Sequence, residues 1–283
     1  MAFQAGAAAK AATGKPFVIH IHNTAYDRSG GNPSEYEYQL ELDGFQTADK
    51  IIAISNFVKN TLTTKYHIPS EKIEVVHNGI DNEKYTYSPI SAKVGKKDKV
   101  VLFAGRVTLQ KGPDYFIKAA HKVLQHMDNV KFVLAGNGDM LNRSINMVAE
   151  MGMSNKFIFP GRYSREEGMK LMGLAHCFVM PSVAEPFGLV PLESMLQKTP
   201  TIISKQSGIS EVVANTLKVD FWDTDQMANK ILSVIKYAPL HEQLSEYGYG
   251  EACNLTWDSA AEKCHSIFSG MVCAGQLNKG VHR

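Results

Sequence analysis

Two carboxylates eight positions apart, Glu185 and Glu193, bracket the stretch whose residue types and spacing point most directly to chemistry. Residues 177–180 form a short apolar run of strand length, and Pro181 ends it. From Gly188 onward Leu189, Leu192, Met195 and Leu196 recur at helical spacing. Strand, loop and helix therefore follow one another. Glu185 falls in the loop, and Glu193 lies about a turn and a half into the helix, at about 3.6 residues per turn. One carboxylate meets a ligand at the helix start, while the other lines the same crevice deeper in. Backbone N–H groups around Phe187, Gly188 and Leu189 form the positive end of that helix, suited to a phosphate or a sugar hydroxyl. The plainer alternative is that Pro186, Gly188 and Pro191 only shape a tight connection.

Two cations extend the set. Arg106 follows an apolar run, and Lys111 stands five residues on, in a loop that Gly105 and Gly112 leave open. Arginine grips phosphate through two parallel hydrogen bonds, and lysine acts as a point charge. Together they suit a phosphate-bearing ligand. Singly, each is more often a solvated surface charge.

Glu185-Pro186-Phe187-Gly188-Leu189 with Glu193 resembles the Glu-x7-Glu signature of retaining glycosyltransferases of the GT-B fold, in particular family 4, the glycogen-synthase-like group. Ala104-Gly105-Arg106 with Lys111-Gly112, Ala135-Gly136-Asn137-Gly138, and Ser204-Lys205-Gln206-Ser207-Gly208 stand in the order that family shows. The resemblance covers nearly the whole chain. It implies an α/β protein with two Rossmann-like domains built on parallel sheets, the first incomplete at its start. It also implies a retaining hexosyltransferase that moves glucose from a nucleotide diphosphate sugar, ADP-glucose or UDP-glucose, to a glycan or other hydroxyl acceptor. Neither a further cofactor nor a metal is expected.

The same resemblance distributes the roles. Arg106 and Lys111 hold the donor diphosphate. Phe187, Gly188 and Leu189 bind sugar hydroxyls and the distal phosphate, and Glu193 accepts from the ribose. The backbone of Arg162 and Tyr163 meets the base. Glu185 and His22 are the catalytic candidates, Glu185 beside the transferred sugar without a covalent role. His20, two residues before His22, points to the same face of a strand by period two and is the alternative histidine.

These residues require a particular set of elements to position them. The chain of 283 residues, 44% hydrophobic, is long enough for two domains. Strands are expected over 17–21, 50–54 and 73–77 in a first domain, 1–81, with helices over 2–13, 34–46 and 55–66 and an irregular loop over 26–33. Residues 82–98 read as a linker. A second domain, 99–238, alternates strands over 100–103, 130–135, 157–159, 176–180, 201–203 and 217–221 with helices over 114–125, 140–151, 165–175, 188–198 and 226–237. Such alternation predicts parallel sheets covered on both faces. The resemblance implies that the helical sequence over 239–283 packs back on the first domain.

Composition narrows the setting. Lys and Arg number 30 against 28 Asp and Glu, a formal charge of +2, so no nucleic-acid or membrane field is expected. No run reaches the roughly 18 apolar residues of a membrane span. Cys177, Cys253, Cys264 and Cys273 include no C-x-x-C pair, which fits a reduced cytoplasm. Gly136-Asn137-Gly138 imitates a dinucleotide fingerprint, but Leu141 occupies the third glycine position. Asp223-Thr224-Asp225 imitates a metal-binding Asp-x-Asp and more simply caps a helix. Family members carry Gly where Lys198 stands, so this turn invites strain. The rival functions are a nucleotide-sugar binding module without turnover and a sugar-nucleotide epimerase.

Overall fold

Alternating strand and helix sequence folds, in the computed structural model, into two separate parallel sheets. The structure describes residues 2–85 and 98–280, with side chains as far as 272. Of the expected linker, residues 86–97 lie outside the described residues, and Asn82–Tyr85 form a 3₁₀ turn.

The first unit comprises the chain up to Gly79 together with the residues from Thr256 onward. It holds α1 (Ala2–Thr13), β1 (Val18–Ile21), α2 (Ala25–Arg28), α3 (Glu35–Thr47), β2 (Lys50–Ala53), α4 (Asn56–Lys65) and β3 (Ile73–Val75), with a long C-terminal helix, Trp257–Gly280. The three strands pair in parallel in the order β1-β2-β3. α1 and α3 approach closely because Gly44 leaves room for Phe3. The stretch expected to be irregular over 26–33 is so from residue 29, but α2 takes its first three residues. Thr24 caps it, its side chain accepting from Asp27 N–H while the Asp27 carboxylate accepts from Thr24 N–H. A four-residue helix is too short to leave a periodic trace, and the Thr24-x-x-Asp27 box was the available signal. Buried Glu41 then fixes α2, accepting from Ala25 N–H, Arg28 and the Tyr66 hydroxyl.

The second unit, Ile80–Leu255, contains β4 (Lys99–Ala104), α5 (Pro113–Leu124), β5 (Val130–Ala135), α6 (Leu141–Glu150), β6 (Phe157–Gly161), α7 (Arg165–Leu174), β7 (Cys177–Met180), α8 (Val190–Leu196), β8 (Thr201–Ser204), β9 (Leu217–Val219), α9 (Thr224–Lys236) and α10 (Ala238–Cys253). Its six parallel strands stand in the order β6-β5-β4-β7-β8-β9. All four residues of β7 and all four of β8 are buried, as a strand covered on both faces requires. The core runs through Val101, Phe103, Phe116, Phe132, Val179, Ile202 and Ile231. Ser164 and Glu167 close a capping box on α7, and the Asp223 side chain caps α9.

Two expectations need correction. The helical sequence after 238 divides, and α10 belongs to the second unit, because Gly248 lets it settle against Met195 of α8 and Glu251 accepts from Ala214 and Asn215 N–H. α8 starts at Val190 and not at 188, since Gly188 has a φ of 101° that no helix accommodates. Lys198 does adopt the left-handed conformation, with φ 56°. Its ammonium reaches both Glu246 oxygens, at 2.9 and 2.8 Å, which offsets part of that strain. No helix among the described residues is long and apolar enough to cross a membrane.

His176 joins the starts of β4 and β7: its N–H donates to Val100 O and its Nδ1 accepts from Val100 N–H. Burial, with Lys99 and His241 nearby, pushes its imidazole down to about 4. The unfolded chain protonates first, so stability is fully present above the ordinary histidine range and is lost as pH falls towards about 4. The expected loss is on the order of 2 kcal/mol after solvent screening. Urea titrations at stepped pH should show this slope in the wild type and a flatter one in His176→Asn, which keeps an acceptor but does not titrate.

Candidate functional site

Successive strands of the second unit spread outward from β4 through β5 to β6, then from β7 through β8 to β9 on the other side. β4 and β7 are therefore neighbours whose following loops diverge, which opens a crevice at their C-terminal ends. The loop after β4 carries Gly105, Arg106 and Lys111, and the loop after β7 carries Ser182, Glu185 and Gly188. A cavity of about 250 Å³ lies between them, lined by all six and by Leu189.

Within it the Lys111 ammonium is paired with the Glu185 carboxylate. The Ser182 hydroxyl lies 3.3 Å from the same oxygen. Glu185 is held from behind by the loop after β8, through Glu185 N–H to Gln206 O at 3.0 Å and Gly208 N–H to Glu185 O at 2.9 Å. Gly188 packs its α-carbon against the Glu185 side chain, where a Cβ would sit 3.1 Å from Cγ. Phe187 is buried outside the cavity lining, its carbonyl accepting from Ile209 N–H. Buried Gln110 ties the two loops together. Its amide nitrogen donates to Ala184 O at 2.9 Å, its backbone carbonyl accepts from Val183 N–H, and its side-chain oxygen accepts from Arg106 at 3.3 Å. Nothing in the sequence marks Gln110 for this position beyond its place between Arg106 and Lys111.

A second cavity, of about 700 Å³, opens beside the first and shares Gly105 and Arg106 with it. Its other walls include Gly136, Asn137, Asp139, Arg162 and Tyr163. The glycines of the Gly136-Asn137-Gly138 turn have a packing reason. A Cβ on Gly136 would lie 1.7 Å from Gly105 O, and one on Gly138 would lie 2.2 Å from Val107 O. Arg106, exposed and common to both cavities, sits where a ligand spanning them would pass. Arg106→Ala is expected to weaken binding of a nucleoside diphosphate by about 1.5–3 kcal/mol while leaving the free nucleoside nearly unchanged. Parallel calorimetry with UDP and uridine, and with ADP and adenosine, checks this; equal losses for nucleotide and nucleoside refute it.

Glu193 stands in the first turn of α8 with a shell of its own. The Tyr85 hydroxyl donates to its Oε1 at 2.9 Å, and Gln197 holds the Tyr85 carbonyl at 2.9 Å. The Arg165 guanidinium lies over the Tyr85 ring, 5.6 Å from its centroid. Burial pushes the Glu193 carboxyl above the usual carboxylate range, against the opposing pull of Tyr85 and Arg165. Burial and the Glu193 charge push the phenols of Tyr85 and Tyr163 up to about 12.

His22 belongs to the first unit, just past the C-terminal end of β1. Its ring and that of His20 lie on one exposed face with centroids 4.5 Å apart, as the period of two requires. Partial desolvation holds both below the ordinary histidine range, and for His20 the neighbouring His22 adds to it.

The family model of "Glycosyl transferases group 1" matches residues 88–251, more than half of the chain and nearly all of the second unit. The chain belongs to that family. Residues 1–84 match the model of "Glycosyltransferase Family 4". Among its relatives, the glycosyltransferase MJ1607 of Methanocaldococcus jannaschii is 33% identical over 70% of this chain and 54% of its own length. Mannosylfructose-phosphate synthase of Agrobacterium fabrum is 25% identical over 82% of this chain and 55% of its own. The chain thus spans about half the length of these two curated relatives. In fold it is similar to Anabaena Alr3699/HepE, solved in complex with UDP and glucose, with a TM-score of 0.82 at 21% identity over 95% of this chain and 75% of that one. This group 1 glycosyltransferase accordingly has the GT-B type of architecture, α/β with two parallel sheets.

Proposed function

We propose that this group 1 glycosyltransferase moves a hexose, with glucose the favoured sugar, from a nucleotide diphosphate sugar to a hydroxyl acceptor with retention at the anomeric carbon. The observation that carries the reading is the pair of adjoining cavities at the β4/β7 switch point, joined at Arg106. The larger suits a nucleoside and the smaller a sugar, with Arg106 and Lys111 placed for the diphosphate between them. Lys111 neutralises charge that grows on the leaving diphosphate, and a charge held in a fixed cleft acts most strongly where water is excluded. Glu185 accepts from sugar hydroxyls and keeps Lys111 in place. Gly188 admits the sugar close to the backbone, and the backbone of Arg162 and Tyr163 borders the base. UDP-glucose and ADP-glucose are the donors proposed, UDP-glucose being supported by the UDP and glucose seen in the similar fold of Alr3699/HepE.

His22 is proposed to assist at the reacting oxygens in its neutral form. Its lowered pKa keeps it uncharged near neutrality. The test is incubation of the chain with UDP-glucose or ADP-glucose and a panel of hydroxyl acceptors, including free sugars and glycans. Released nucleotide and an α-configured product, read from the anomeric proton in NMR, are expected. A β-configured product rejects retention, and donor binding without any product favours a binding module.

A further inference from the structure

Glu193 has more partners than a ribose acceptor needs, and one of them is supplied from outside the strand-and-helix framework of the site. Tyr85 ends the 3₁₀ turn Asn82–Tyr85, which is anchored to the second unit by Asn82 to Cys253 O at 2.7 Å and by Gln197 to the Tyr85 carbonyl. That anchoring fixes the phenol on Glu193 Oε1. A carboxylate has about four acceptor sites on two oxygens, so one bond to Oε1 leaves Oε2 with its full capacity.

We infer that Tyr85 is a positioning residue for the nucleotide ribose: its hydroxyl fixes one oxygen of Glu193 and presents the other to the ribose hydroxyls. The inference rests on the reading of Glu193 as the ribose acceptor. Among the described residues, the charged and titratable groups facing Glu193 are Tyr85 from the 3₁₀ turn, Tyr163 from the segment after β6 and Arg165 from the start of α7. Of these, Tyr85 makes the direct hydrogen bond to the carboxylate. A hydrogen bond to the charged form favours that form. Tyr85 therefore keeps Glu193 ionised, and able to accept from ribose, down to lower pH than its burial alone allows.

The experiment measures binding of UDP-glucose and ADP-glucose by calorimetry from acid to neutral pH in the wild type, Tyr85→Phe and Glu193→Gln. In both nucleotide sugars the phosphates are diesterified and exchange no proton across the range. Uracil exchanges none either, so the pH curve is read on UDP-glucose, while the adenine of ADP-glucose takes up a proton at the acid end. In the wild type, affinity should fall as pH drops through the Glu193 titration. In Tyr85→Phe the fall should begin at higher pH, leaving binding about tenfold weaker at the acid end and within about twofold of wild type near neutrality. A Tyr85→Phe curve that coincides with the wild type, or lies below it by a constant factor, overturns the inference and leaves Tyr85 a structural tether. Glu193→Gln should bind weakly at every pH with the acid limb gone. If Glu193→Gln instead keeps wild-type affinity throughout, the ribose assignment itself fails, whatever Tyr85→Phe does.

Discussion

Lys111→Ala should unfold at a markedly lower urea concentration than the wild type, with a loss of about 3 kcal/mol, and should turn over donor about a hundredfold or more slowly. The side chains of Lys111 and Glu185 are only 19% and 9% exposed. Removing the ammonium leaves a carboxylate that is buried, charged and short of its strongest partner. A buried ion pair adds little net stability when intact, yet breaking it from one side is costly. Lys111→Ala combined with Glu185→Ala should therefore recover most of the stability and none of the transferase activity. The cycle separates the two functions of the pair. Equal stability of wild type, single variant and double variant would show that Glu185 is adequately solvated without Lys111, and that the ammonium serves the ligand alone.

Gly136→Ala should be the most damaging single methyl addition in the second unit. The residue has a φ of 138°, and its added carbon would lie 1.7 Å from the carbonyl oxygen of Gly105, a backbone atom with no rotamer to yield. The loops after β4 and β5 would have to part. A loss above about 4 kcal/mol is expected, together with loss of nucleotide binding, because both cavities use Gly105 and Arg106 as a wall. Gly152→Ala is the matched control. It also has a positive φ, of 70°, but nothing lies within 4 Å of its added carbon. That variant should lose about 1 kcal/mol and bind normally. Melting temperatures of the two that agree within error would mean that the loops move apart without penalty.

The strands of both units could be read from the sequence because each is a short apolar run closed by Gly, Pro or a polar turn. β5 and α1 occupy the expected residues, while the other element ends move by a residue or two in most cases. Spacing also places Arg106, Lys111, Glu185 and Gly188 in loops that follow strand ends, at one edge of a parallel sheet. What spacing does not contain is strand order. Only the pairing of β4 with β7 brings the loop of Arg106 and Lys111 to that of Glu185, and this pairing joins residues 76 positions apart, Val101 to Cys177. Gln110 and Tyr85 were invisible for the same reason, because their partners Ala184 and Glu193 are distant in the chain. The ligand contact expected of Phe187 runs through its backbone, and its side chain, 2% exposed, packs inward.

The second unit begins and ends at one point. Ile80 N–H donates to Leu255 O at 2.8 Å, and on the other side of that junction Gly79 lies so close to the Thr256 backbone that a Cβ would approach its carbonyl carbon to 2.1 Å. In the topology of the chain, the second unit is an insertion within the first. Holding the two ends of so long a segment together without internal structure would cost roughly 4–5 kcal/mol of loop entropy. Once residues 80–255 are folded, that cost has already been met, and the helix Trp257–Gly280 arrives beside the chain that left at Gly79. Order in the first unit is thus coupled to folding of the second through chain connectivity. Melting the second unit should release the C-terminal helix to hydrogen exchange, even though the helix belongs to the first unit. A short peptide linker joining Gly79 directly to Thr256 should protect it again.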